Sequence, residues 1–175
     1  MKKKTREQDI YYFDSKEQED TGRCAGMLRQ MISEIMQREN RKGVLLFCIG
    51  TDRSTGDSLG PLTGHKLKAA GLEDCFVQVV GTLDCPVHAM NLEQAVFMVH
   101  RCYPEYVIVA VDASVGQTEH VGCITLGRGA LRPGLGVSKE LQAVGDIFIT
   151  GIVGGYGSYD PLMLQSVRLS VVMRM

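Results

Sequence analysis

The chain has 175 residues, 45% of them hydrophobic, 22% charged and 6% aromatic, with 20 glycines against 5 prolines. That is the size and make-up of one globular domain, which excludes fibrous, disordered and two-domain readings. The 19 Lys and Arg against 20 Asp and Glu leave a net charge of −1, without the basic excess of phosphate-backbone binders, so no nucleic-acid partner is expected.

No apolar run approaches the ~18–20 residues that cross a bilayer, and Met1–Asp20 is too charged for a signal peptide, so a cytoplasmic protein with no membrane partner is expected. Residues 1–22 carry eleven charges of mixed sign and read as a mobile N-terminal arm, leaving residues 23–175 as a single domain. From Ala25 to Asn40, Met27, Leu28, Met31, Ile32, Ile35 and Met36 recur at three- and four-residue spacing and predict a helix with one buried face. Val44–Ile49 is a continuous apolar run of strand length, followed by the loop Gly50–Gly60 and a helix over Pro61–Ala70. The pattern repeats as strand Phe76–Val80, loop Gly81–His88, helix Met90–His100 and strand Tyr106–Val111, which ends at Asp112. Val121–Leu126 reads as an antiparallel or edge strand, because the turn before it is too short for a helical crossover. A glycine-rich loop over Arg128–Ser138, a buried strand over Asp146–Val153 and an amphipathic helix over Asp160–Arg174 complete the chain. That helix stops abruptly at Met175, which points to an originally longer chain. Strands alternating with crossover helices predict an α/β domain: a three-layer αβα sandwich on a mainly parallel sheet.

In such sheets ligands bind outside the carboxyl ends of the strands, where Asp57, Asp112 and the loop 81–88 all fall. Asp112, at a strand exit, is either a desolvated functional carboxylate or an acceptor for amides of the turn at Ser114–Gly116. Asp57 either caps the following helix, a task open to Ser58 as well, or joins Asp112 in one pocket if the first and third strands are neighbours. Two carboxyl groups sharing a site divide into an acid that keeps its proton and a base that has lost it. Ser54, Thr55 and Ser58 in the same loop, His88 after the second strand and Lys139 at the rim are the candidate substrate-binding residues. The glycine-rich loop at 50–60 matches neither GxGxxG nor GxxxxGK[ST], so it gives little support to phosphate binding. Cys85 and His88 stand at a spacing that permits a thiolate–imidazole pair or simply a buried thiol beside a helix-starting histidine. The six cysteines lack CxxC spacing and are read as mostly reduced core thiols, without a structural zinc site.

Ile49–Pro61, Gly81–Leu92 and Val111–Ser114 together resemble the YyaC family of sporulation proteins, from about Gly43 to the C-terminus. They are similar, more distantly, to the spore germination protease and to hydrogenase maturation endopeptidases, which implies a phosphorylase/hydrolase-like fold. In the germination protease the two catalytic aspartates lie in Asp-x-Leu-Gly-Pro and Val-Asp-Ala motifs, matched here by Asp57–Pro61 and Val111–Ala113. The resemblance implies a peptidase that uses Asp57 and Asp112 on a protein or peptide substrate, spore proteins among them, in the mother cell or forespore. The endopeptidases add a histidine to hold nickel; the corresponding loop, Val137–Glu140, has none, so neither metal nor other cofactor is expected. A noncatalytic sporulation scaffold or binding protein on the same fold stays open, as does a homo-oligomer.

Overall fold

A computed structural model describes residues 10–133, 142–155 and 163–175. Six strands form one mixed sheet: β1 (Ile10–Asp14), β2 (Gly43–Cys48), β3 (Val77–Val80), β4 (Tyr106–Gly116), β5 (Cys123–Arg128) and β6 (Ile147–Gly155), in the order β1-β5-β6-β4-β2-β3. The neighbours β3, β2, β4 and β6 run parallel, while β5 is antiparallel to both β6 and β1. Five helices accompany the sheet: α1 (Gln18–Glu39), α2 (Leu59–Ala69), α3 (Leu92–Cys102), α4 (Met163–Ser166) and α5 (Leu169–Arg174).

The alternation of side chains along β2 decides where the helices pack. Leu45 and Phe47 meet Leu92, Val96 and Val99 of α3, whereas Val44 and Leu46 turn to the other face and meet α1. On that second face Met31 and Ile35 of α1 lie against Val107, Val109, Leu126 and Ile147. Toward the carboxyl end α2 takes over, with Leu67 packed on Cys48, Val79 and Val111. The adjacent pairing of β2 and β4, the condition on which the sequence reading of a shared pocket depends, brings the loops after both strands side by side.

The fold does not wait until residue 23, as the charge pattern suggests. Ile10–Asp14 is a strand paired with β5, and α1 starts at Gln18. The charges mislead because β1 buries only Phe13 while Ile10, Tyr11 and Tyr12 stay exposed. Glu19 and Asp20 suit the positive end of the helix, and the Asp20 carboxylate accepts the Asp14 N–H at 3.0 Å, joining strand to helix. Residues 1–9 of the predicted arm lie outside the described residues.

Three further expectations need correction. β4 runs on through Asp112 to Gly116, so no turn follows the aspartate. Of the two alternatives for β5 the antiparallel one holds and the edge does not, because β1 covers its outer side. The C-terminal helix is two short helices separated at Arg168, whose backbone is extended. Leu164, Val167, Val172 and Met175 pack in one cluster with Leu59 and Val153. The five-residue step from Val167 to Val172 is out of phase with a 3.6-residue turn, so only a break lets both face the core. The first part of that predicted helix, 160–162, lies outside the described residues. The cysteines are free, but only Cys48 is a buried thiol, pushed up to about 12 by desolvation; Cys75, Cys85 and Cys102 are exposed.

Candidate active site

At the end of β2 the chain enters a glycine turn with no room for a side chain. Gly50 has φ +134°, and a Cβ there would run into the Asp57 carbonyl. The loop consequently folds back on itself: Thr51 N–H donates to the Asp57 carbonyl at 2.9 Å and Asp57 N–H to the Ser54 carbonyl at 3.0 Å, closing a 3₁₀ turn over Thr55–Asp57. Asp57 thereby faces the exit of the sheet instead of capping α2. The other capping candidate, Ser58, is also occupied elsewhere, its buried hydroxyl donating to the Thr55 carbonyl at 2.7 Å.

Asp112 is 6% exposed, within β4, and its Oδ1 accepts the N–H of Ala113 at 2.8 Å. Burial lifts its carboxyl well above the usual carboxylate range, and the negative charge of Asp57 adds to the rise. The charge of Asp57 thus acts on Asp112, and the loop of Asp57 follows β2, the strand paired with β4. Asp57 is half-buried and is raised from 3.8 to about 6, chiefly by desolvation; an amide bond from Thr51 and the nearby His88 imidazole pull the other way. At neutral pH Asp57, at about 6, is largely ionised, while the deeper burial of Asp112 holds its carboxyl more strongly toward the neutral form.

These shifts have a consequence for stability. Between about pH 4 and 6 the folded chain keeps the Asp57 proton after the unfolded chain has released it, so stability falls as pH rises through that window. The rise to about 6 from 3.8 corresponds to about 3 kcal/mol. Thermal melts at pH 4 and pH 7 are expected to show this loss, and Asp57→Asn to reduce it.

His88 reaches the site because the Val87 carbonyl accepts the Gly50 N–H at 2.7 Å, seating the second loop beside the first. Its Nδ1 accepts the Met90 N–H at 3.3 Å, and its own amide donates to Asn91 Oδ1 at 2.8 Å. Nε2 is thus the nitrogen that carries the proton in the neutral ring. Among the described hydrogen bonds none joins Cys85 to His88. Thr55 opens the 3₁₀ turn, half-buried, and the hydroxyl of Ser54 is buried without a hydrogen-bond partner among the described residues. Lys139 lies outside the described residues.

One group went unnoticed in the sequence. Thr150 is the register partner of both Asp112 and Thr125, so the three side chains stand in a row on one face of the sheet. Thr150 Oγ1 lies 2.6 Å from Thr125 Oγ1 and accepts from Ser114 Oγ at 3.0 Å. Buried threonines within the apolar run of a strand were the available signal.

Among the described residues no three His, Cys, Asp or Glu side chains converge on a metal-binding position.

These features define an α/β protein with a mostly parallel sheet and two coupled carboxyl groups beyond β2 and within β4. Over residues 12–175 the chain matches the family described as "Protein of unknown function (DUF1256)", and it belongs to that family. It is 42% identical over 152 residues to the "Uncharacterized protein YyaC" of Bacillus subtilis (strain 168), covering 87% of this chain and 73% of that protein.

Proposed function

We propose that the protein is an aspartate-dependent peptidase that activates water between Asp57 and Asp112. The observation that carries this reading is the unequal burial of two carboxyls beyond β2 and within β4: Asp57, half-buried, is raised to about 6, and Asp112, 6% exposed, is raised well above the usual range with the charge of Asp57 adding to the rise. Asp57 removes a proton from the water as its oxygen attacks the scissile carbonyl, and Asp112 gives its proton to the carbonyl oxygen. The tetrahedral diol then collapses: its C–N bond breaks, the amide nitrogen takes the proton held by Asp57, and a diol proton returns to Asp112. Acid and amine leave with both aspartates as they began.

Ser54, whose buried hydroxyl has no partner among the described residues, Thr55 and the amides of the Gly56–Gly60 turn other than those of Asp57 and Ser58, which are spent inside the turn, are assigned to hold the substrate carbonyl. Ser58 supports them by fixing the turn, and His88 favours the charged form of Asp57; Lys139 is assigned to the rim. Two further points support the reading: helices pack against both faces of the sheet, as in a three-layer hydrolase-like sandwich, and Asp57–Pro61 and Val111–Ala113 resemble the germination protease motifs. The proposed setting is the cytoplasm of a spore-forming cell, with spore proteins as substrates.

The test is incubation of the purified chain with small acid-soluble spore proteins and with the peptide pool of a spore extract, read by mass spectrometry. Cleavage by the wild type that disappears in Asp57→Asn and in Asp112→Asn is the expected result. No cleavage of either pool overturns the peptidase and favours a noncatalytic scaffold. Activity is expected to survive EDTA undiminished; loss on chelation that added nickel or zinc restores would replace this mechanism by a metal-dependent one.

A further inference from the structure

β3 ends the sheet on the side away from β1, and no described strand lies beyond it. In a parallel pair alternate residues turn their backbone groups to the neighbour and the rest turn away. Val77 and Val79 are the ones that turn away from β2: the Val77 carbonyl accepts the Asp74 N–H at 3.0 Å, and the Val79 N–H donates to Glu73 Oε1 at 3.2 Å. A side-chain carboxylate thus occupies the place that the carbonyl of a next strand would take. Its hold is weak, since Glu73 is also drawn to Lys68 Nζ at 3.4 Å and both side chains are partly exposed.

From Val79 to Thr82 this edge is the floor of a groove of about 370 Å³, with Lys68 of α2 on one side and Ala95 and Met98 of α3 on the other. Met98, one of its apolar walls, is 47% exposed. The groove extends to Val87, the residue that anchors the second loop to Gly50 and precedes His88. An edge strand lying between two helix walls has the shape and the hydrogen-bonding groups for one extended backbone. A second copy of the chain would bring its own α2 and α3 against those walls, which disfavours a sheet continued across a dimer.

We propose that the outer edge of β3 from Val79 onward, beyond Val77 whose N–H and carbonyl Asp74 already holds, binds an extended polypeptide as a seventh strand, with apolar side chains against Ala95 and Met98, and displaces the Glu73 carboxylate from Val79. The bound strand is the stretch of substrate that leads to the scissile bond, and this last assignment rests on the peptidase reading.

The test separates the two ideas by measuring binding without turnover. The probes are acetyl- and amide-blocked decapeptides of alternating apolar and polar residues, each also made with one N-methylated backbone position, titrated against Asp57→Asn protein. Expected are binding, a loss of about tenfold or more on N-methylation at every second position, and slowed hydrogen exchange in Val79–Thr82. Glu73→Ala is expected to bind severalfold tighter, because Val79 N–H is freed, and Met98→Asp about tenfold weaker at an unchanged melting temperature. A purely structural Glu73 would not raise affinity on removal.

Absence of decapeptide binding, an N-methyl pattern without alternation, or indifference to both groove variants overturns the proposal, as does a wild-type dimer that Met98→Asp dissociates. Binding by the expected pattern with no cleavage by the wild type leaves the groove and removes the peptidase. Cleavage whose kcat/KM is unchanged in Met98→Asp removes the groove and leaves the peptidase.

Discussion

An Asp112→Asn variant is expected to fold and to lose hydrolysis by about a thousandfold or more, as removal of a general acid from a water-activating pair does. Asparagine keeps the oxygen that accepts the Ala113 N–H but has no proton to give to a carbonyl oxygen. The wild-type pH profile should be a bell, with its acid limb near the Asp57 value of about 6 and its alkaline limb where Asp112, raised by burial, ionises. In Asp112→Asn the residual rate should keep the acid limb and lack the alkaline one. The same variant should melt higher than the wild type at pH 8. Folded Asp112 keeps a proton that the unfolded chain has released, so native stability falls from about pH 4 up to the raised folded value, a loss asparagine does not share. A variant as active as the wild type would end the acid–base assignment.

The second large effect concerns α2, which carries the loop of Asp57 at its start. A Cβ at Gly64 would strike the Gly81 carbonyl, and one at Gly60 the Ile49 carbonyl; both are backbone atoms in buried surroundings and cannot step aside. Gly64→Val is expected to cost about 4 kcal/mol or more, enough to unfold much of the population, because the helix must move off the β2–β3 end and unseat Leu59 and Leu67. Even Gly64→Ala should destabilise, although alanine in a helix is ordinarily favoured over glycine by about 1 kcal/mol. Gly26 in α1 supplies the contrast: nothing lies within 4 Å of a Cβ there, and Gly26→Ala should stabilise by up to about 1 kcal/mol. Urea unfolding of the three variants checks the order, and a stable Gly64→Val would mean that α2 sits farther from the sheet.

The parallel half of the sheet was legible because its strands are buried on both faces and read as unbroken apolar runs, Val44–Ile49 and Val107–Val111 foremost. The neighbourhood of Asp57 and Asp112 followed from the adjacency of those two runs. β1 was hidden because one inward residue, Phe13, leaves no period to detect among charges. The extension of β4 past Asp112 depends on pairing with β6 as far as Gly116, a long-range contact with no local signature. Thr150 and Thr125 became part of the site only through registers that join distant segments, and the β3 groove needed the order of the sheet to expose an edge.

That order also governs how the chain can assemble as it is made. β5 leaves the ribosome before β6, yet β6 must stand between β5 and β4. After residue 116 has emerged, β4 can settle against β2, but its other side has no partner until residues 147–155 arrive. β1, the first strand made, must wait for β5, which itself is fixed only once β6 is in place. Pairings so distant in sequence slow folding and leave an apolar strand unguarded meanwhile. A nascent chain halted near residue 130 would therefore present the open side of β4, and holding that intermediate apart from its neighbours on the polysome becomes work for a chaperone.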